Sequence, residues 1–229
     1  MKTAISLAAV LAASFTSFAH ASIRITEAMS SSGSGGTADW IEVTNYGTSA
    51  VSMVGMRMDD NSYSFAASVA LLGVTSLAAG ESAIFFENTA PTAPIAAFQS
   101  YWSGLSGVQV GYYNGSGAGV SFSSGGDAAV IFNSTGSEIS LRAAFGPATT
   151  GSSFYWGYDA ATGAFDASYV GVNNAGLVSV VGTIGTQITG LSSGTPTNTG
   201  SLGTAIGVPA PGAIALVGVA GLVGSRRRR

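Results

Sequence analysis

The chain has no cysteine, and its single lysine and single histidine, Lys2 and His20, both fall within the first 20 residues. The remainder is read without either residue type. Disulfide frameworks and thiolate or imidazole zinc sites are excluded for it. So are Ser–His and Cys–His catalysis and a Schiff-base lysine. Charge is scarce throughout, at 8 % of residues. Between residues 22 and 225 only Arg24, Arg57 and Arg142 stand against eleven carboxylates, a net charge of −8. That balance excludes a basic nucleic-acid surface and suits a body kept soluble by negative charge. No cofactor is implied. With no disulfide to rely on, stability has to come from a packed core, and a single domain of this length can build one.

What is present at the two ends concerns address. The chain opens MKTAISLAAVLAASFTSFAHA: a basic residue, a run of apolar and small residues, and an Ala19-His20-Ala21 pattern. This is the arrangement of a secretory signal peptide, residues 1–21, cut after Ala21 by signal peptidase.

At the other end stands Val208-Pro209-Ala210-Pro211-Gly212. The two prolines make it a stiff, non-helical strip. Ala213 to Gly224 is uncharged and carries Ile214, Leu216, Val217, Val219, Leu222 and Val223, followed by Ser225 and Arg226, Arg227, Arg228 and Arg229. The run is shorter than the roughly 20 residues of a full span. With flanking residues and snorkelling arginines it reads as a short transmembrane helix, the basic cluster staying cytoplasmic. This order of motif, small-apolar helix and terminal arginines resembles the PEP-CTERM sorting signal of exopolysaccharide-producing Gram-negative bacteria. Ala210 stands where that family usually has Glu. The resemblance implies an exosortase-type membrane protease as partner, a transient inner-membrane anchor, and delivery to the cell surface or extracellular matrix.

The body, residues 22–190, reads as short strands separated by turns. Ile23 and Ile25 alternate with Arg24 and Thr26, predicting a half-buried strand. Ile41 and Val43 share one face of the next strand; Trp40, Glu42 and Thr44 share the other. Strands are predicted at 51–58, 63–72, 82–87, 108–113, 119–122, 128–133, 138–145 and 153–158, and one short helix at 93–102. Little helical periodicity remains, so the fold class is mainly β, an antiparallel sandwich. Residues 191–207, LSSGTPTNTGSLGTAIG, read as a flexible polar stalk between body and tail.

Five pieces of the body resemble the lamin tail domain, an immunoglobulin-like sandwich: IRITEAM at 23–29, DWIEVTNYG at 39–47, VSMVGMRMDD at 51–60, LAAGESAIFF at 77–86 and FSSGGDAAVIFNSTGSEI at 122–139. The resemblance implies an immunoglobulin-like β-sandwich and a non-catalytic interaction or surface module. Three residue sets remain for sharper chemistry. Glu27 and Glu42 form the one carboxylate pair that could serve glycoside hydrolysis; otherwise they bind turn amides or arginines. Asp59, Asp60 and Asn61 are either calcium ligands or a strand-ending turn. Tyr112, Tyr113 and Tyr155 are either glycan contacts or core, Tyr155 being expected outside and Phe154, Trp156 and Tyr158 inside. The first expectation is thus a structural or adhesive matrix protein, and the alternative an exopolysaccharide-binding module.

Overall fold

The computed structural model describes residues 23–33, 37–88, 94–102, 105–115, 118–158, 165–172, 188–192 and 195–208. Its elements in chain order are β1 (Ile23–Met29), β2 (Trp40–Asn45), β3 (Val51–Ser52), β4 (Arg57–Asp59), β5 (Val69–Ala70), β6 (Ser76–Leu77) and β7 (Ser82–Glu87). Then come α1 (Ile95–Tyr101), β8 (Gln109–Tyr113), β9 (Asp127–Phe132), β10 (Ala143–Phe145), β11 (Phe154–Tyr158), β12 (Phe165–Val172), β13 (Ile188–Ser192) and β14 (Thr195–Gly200). A six-stranded sheet, in the order β12-β11-β1-β2-β7-β8, faces a four-stranded sheet in the order β10-β9-β4-β5. Ile25, Ile41, Val43 and Phe85 of the first pack with Met58, Ala129 and Ile131 of the second in one buried core. The fold is therefore a β-sandwich.

Among the described strand pairs, pairing is antiparallel except at β7 and β8, which run parallel. The expectation of a purely antiparallel sandwich is corrected there. Parallel neighbours cannot be joined by a hairpin, and α1 lies in the crossover that joins these two. It covers one end of the sheet's outer face. There Phe98 and Trp102 join Met29, Trp40, Ile84, Phe86 and Val110 in a second, smaller apolar cluster. Phe86 stacks on Phe98 with ring centroids 4.8 Å apart, and Trp40 meets Trp102 edge-on at 5.7 Å.

Three further expectations change. The first strand is buried along its whole length, not on one face alone. Residues 119–122 form no strand, 63–72 keep only Val69–Ala70, and 138–145 keep only Ala143–Phe145. The stretch expected as a stalk, 191–207, instead holds the end of β13, all of β14 and a packed strap from Ser201 onward. Its Gly, Ser and Thr lack apolar bulk, which is why they read as a linker, yet their amides and hydroxyls are what the sheet's polar outer face requires. The signal segment 1–21 and residues 209–229 lie outside the described residues. Among the described residues no helix is long and apolar enough to cross a membrane.

Gly111 in β8 illustrates a close approach. Leu72 crosses it through reciprocal backbone hydrogen bonds with Tyr112, each 2.9 Å. A Cβ at Gly111 would lie 2.3 Å from the Leu72 carbonyl oxygen and 2.8 Å from the Phe85 ring. Gly111→Ala is expected to lower stability by about 1–3 kcal/mol in denaturant unfolding. At Gly146 an added Cβ meets nothing within 4 Å, so Gly146→Ala should stay within about 0.5 kcal/mol. Equal effects at the two positions would refute the steric account.

Candidate functional site

Glu27 and Glu42 are brought together by the register of β1 and β2, in which they are direct cross-strand partners. A register shift between Ile25 and Glu27 makes Thr26 a bulged residue. Thr26 and Glu27 then both present polar atoms to the outer side of the sheet. The Thr26 hydroxyl donates to Glu42 Oε1 at 2.5 Å and lies 2.8 Å from that of Thr44, which lies 2.7 Å from that of Ser82. This hydroxyl row runs across β1, β2 and β7 and ends on a carboxylate.

The strap closes over the pair. Ser201 donates its amide to Glu27 Oε1 at 2.8 Å and its hydroxyl to Oε2 at 2.9 Å. Ser153 donates to Oε1 from β11's edge at 2.5 Å. Gly203 donates its amide to Glu42 Oε2 at 2.5 Å. Leu202, between them, is buried in the cluster around Trp40. Further on, the Tyr46 hydroxyl donates to the Ile206 carbonyl, and the Ile206 amide donates to the Tyr155 hydroxyl at 2.7 Å. Asn198 accepts the Gly33 amide at 2.6 Å and donates to the Tyr101 hydroxyl. Both carboxylates are thereby fully buried. They bind amides and hydroxyls, as the structural alternative required. Arg24 donates to the Ile23 carbonyl and lies against Tyr158, while Arg57 bonds Ser68.

Burial, and then the charge of Glu27, push the Glu42 carboxyl far above the usual range, to about 8; the donors from Thr26, Gly203 and Thr44 oppose this. Among the described residues, Ser201, Leu202 and Gly203 lie over the pair.

The remaining predicted residues are scattered. Tyr113 is wholly buried in the main core, and Tyr155, although on the outer face as alternation requires, is sealed beneath the strap. Neither can stack on a glycan, so these two assignments are corrected; only Tyr112 stays half exposed. Asp59, Asp60 and Asn61 form a turn: Asp59 Oδ2 accepts the Ser62 hydroxyl and the Ser64 amide, each at 2.6 Å. Asp60 accepts the Ser62 amide, and the Asn61 amide donates to Asp127. Among the described residues no group of three His, Cys, Asp or Glu side chains is arranged to hold a metal ion. A cavity of about 330 Å³ lies between α1 and the end of β7, lined by Thr37, Phe86, Glu87, Phe98 and Tyr101 among others. Of the sorting motif only Val208 is described, packed half-buried against the main core. Pro209 to Arg229 and the cleavage residues Ala19 and Ala21 lie outside the described residues. Ser153, Ser201, Gly203 and Tyr46 were not singled out in the sequence. The one available signal was a pair of glutamates on strands otherwise too apolar to expose them.

The Glu42 shift fixes a pH dependence. An unfolded-chain Glu gives up its proton near 4.5, whereas the folded carboxyl keeps it to about 8. The native state therefore binds the extra proton in that window. Stability from this group is complete below 4.5, declines as pH rises, and is lost above about 8. Unfolding in denaturant at about pH 5, 7 and 9 should show a decline of up to about 1.4 kcal/mol per pH unit inside the window. In Glu42→Gln, which mimics the neutral acid, the decline should largely vanish. A stability curve rising across this window would contradict the assignment.

No curated protein matches the chain, and no solved structure does. A family profile does: the lamin tail domain, over residues 16–145. The match takes in every one of the five pieces from IRITEAM to FSSGGDAAVIFNSTGSEI, and it stops before β11, β12 and the strap. The partners that seal Glu27 and Glu42 thus come from beyond the matched segment. Covering more than half of the chain, and spanning β1 to β10, the match shows that this protein belongs to the lamin tail domain family, an immunoglobulin-like fold.

Proposed function

We propose that this protein is an exported, non-catalytic structural or adhesive module of a bacterial cell surface or biofilm matrix, sorted and processed through its C-terminal tail by an exosortase-type protease. The observation that carries the non-catalytic reading is the closure of the Glu27–Glu42 pair. A hydrolase needs both carboxylates open to a substrate, and here Ser201, Leu202 and Gly203 fill that side. Membership of the lamin tail domain family supports the same reading, because the resemblance implies a non-catalytic interaction or surface module.

Export and sorting rest on the two ends of the sequence: the Ala19-His20-Ala21 pattern, and VPAPG followed by an apolar run and four arginines. The packed strap modifies the geometry. With Val208 held against the core, the tail begins at the body itself and not at the end of a stalk. The alternative, exopolysaccharide binding, loses two of the three aromatics proposed for it, since Tyr113 and Tyr155 are covered.

Intact-mass spectrometry of protein recovered from cells and from medium tests the address. The expected product begins at Ser22 and ends between Val208 and Gly212. A mass running through Arg229 in both fractions would sink the processing step and leave a membrane-tethered domain. Weak or no retention on polysaccharide resin is expected from the loss of Tyr113 and Tyr155, and firm retention would restore the alternative.

A further inference from the structure

Residues Ser201–Ile206 are attached to the sheet in an unusual way. Two of their amides and one hydroxyl end on carboxylates that are themselves fully buried and adjacent across strands. A strap held over an apolar face would respond little to pH. One held over two acids is sensitive to how many protons those acids keep. With one proton on the pair, a single buried negative charge faces neutral donors, a tolerable arrangement. With none, two like charges face each other in a region of low dielectric, and repulsion is relieved only by admitting water. Water can enter where the cover is thinnest, and on the outer side the cover is the strap.

We propose that Ser201–Ile206 is a proton-dependent latch: it closes over Glu27 and Glu42 while the pair retains a proton, and lifts off the sheet when both carboxylates ionise. The consequence concerns the C-terminal tail, which begins two residues after Ile206. Latch closure holds Val208 against the body, and latch opening frees this first residue of the motif on which a membrane protease would act. That consequence rests on the proposed processing of the tail, whereas the latch itself does not.

The groups around the pair are consistent with control by these two acids. From β1 come Glu27 and Arg24, whose guanidinium lies 5.5 Å from the Tyr158 ring centroid and donates to the Ile23 carbonyl. From β2 comes Glu42, from the residue just after that strand Tyr46, and from β11 Tyr155 and Tyr158. All three tyrosine hydroxyls are pushed above their ordinary range by burial and stay neutral through the relevant interval. Nearby, β7 supplies Ser82, while its Glu87 stands at the opposite end of the strand beside Asp39. The strap carries no ionisable side chain between Ser201 and Val208. Among the described residues, the carboxylates that hold the strap are therefore Glu27 and Glu42.

Native-state hydrogen exchange on the full chain tests this, with each rate divided by its intrinsic rate at the same pH. Between about pH 6 and about pH 9, protection at the Ser201, Gly203 and Ile206 amides should fall by roughly tenfold or more. Protection at Val43 and Phe85, inside the β2–β7 ladder, follows global stability over the same range and should stay well above that of the strap amides at every pH. In Glu42→Gln the strap amides should keep their protection across the range. If that variant does not fold, Glu27→Gln carries the same expectation. Ser201→Ala, which deletes one donor but neither acid, should lower protection and keep its pH dependence. Strap amides whose protection is flat in the unaltered chain, or equals that of Val43 and Phe85 throughout, would overturn the latch. So would an undiminished fall in both glutamine variants. Because exchange is read without any protease, a failed latch and a failed processing step are told apart by the mass measurement.

Discussion

The structure depends on how the outer face of its six-stranded sheet is covered. A sandwich of two sheets buries one face of each, and the opposite face is normally left to water. Here, among the described residues, the outer face over β1, β2 and β7 is covered by two different devices. At one end α1 adds Phe98 and Trp102 to Trp40, Ile84 and Phe86, an apolar closure. At the other end, Ser201 and Gly203 supply hydrogen bonds to Glu27 and Glu42, a polar closure. Leu202 joins the two, since it packs in the apolar cluster while its neighbours bind the acids. Without the strap two carboxylates would regain solvent, and the sheet would become the one-sided kind that the alternating sequence suggests.

This arrangement explains how much of the molecule was legible from the residues. The strands whose alternation reflects the main core, such as Ile41 and Val43 or Ser82–Glu87, were readable because one face had to be apolar whatever covered the other. The helix was readable because Ile95, Phe98 and Trp102 fall at helical spacing. What failed were features set by distant parts of the chain. Tyr155 was rightly assigned to the outer face, but whether an outer face is wet depends on residues some fifty positions later. The parallel pairing of β8 has the same origin, because nothing in Gln109–Tyr113 states which neighbour it joins.

The strap was misread for a reason intrinsic to its chemistry. LSSGTPTNTGSLGTAIG has the composition of a linker because Gly, Ser and Thr bury little apolar area. Such residues also offer freely disposed amides and hydroxyls, which two buried carboxylates need. Gly203 shows the dual use: its φ of +80° suits glycine, and a side chain there would strike Val108 at 2.5 Å. A low-complexity stretch following strands with acids on a covered face is thus as compatible with a cap as with a tether. The sequence clue lay in Glu27 and Glu42 standing on strands flanked by Ile, Val and Trp.

The family match sharpens the same point. It ends at residue 145, after the strands that make the four-stranded sheet and most of the six-stranded one. Both glutamates lie inside it, while Ser153, Ser201 and Gly203 lie outside. The matched core therefore presents two acids that are completed by a C-terminal addition, and that addition leads straight into the VPAPG segment. The acids, in the sequence the only pair with a catalytic look, are better understood as the attachment point of the chain's own C-terminal part. Their burial, which argues against hydrolysis, is the same property that makes the attachment responsive to protons. A single structural fact, donors from residues 201–203 on carboxylates at 27 and 42, thus bears both on the proposed non-catalytic role and on the proposed latch.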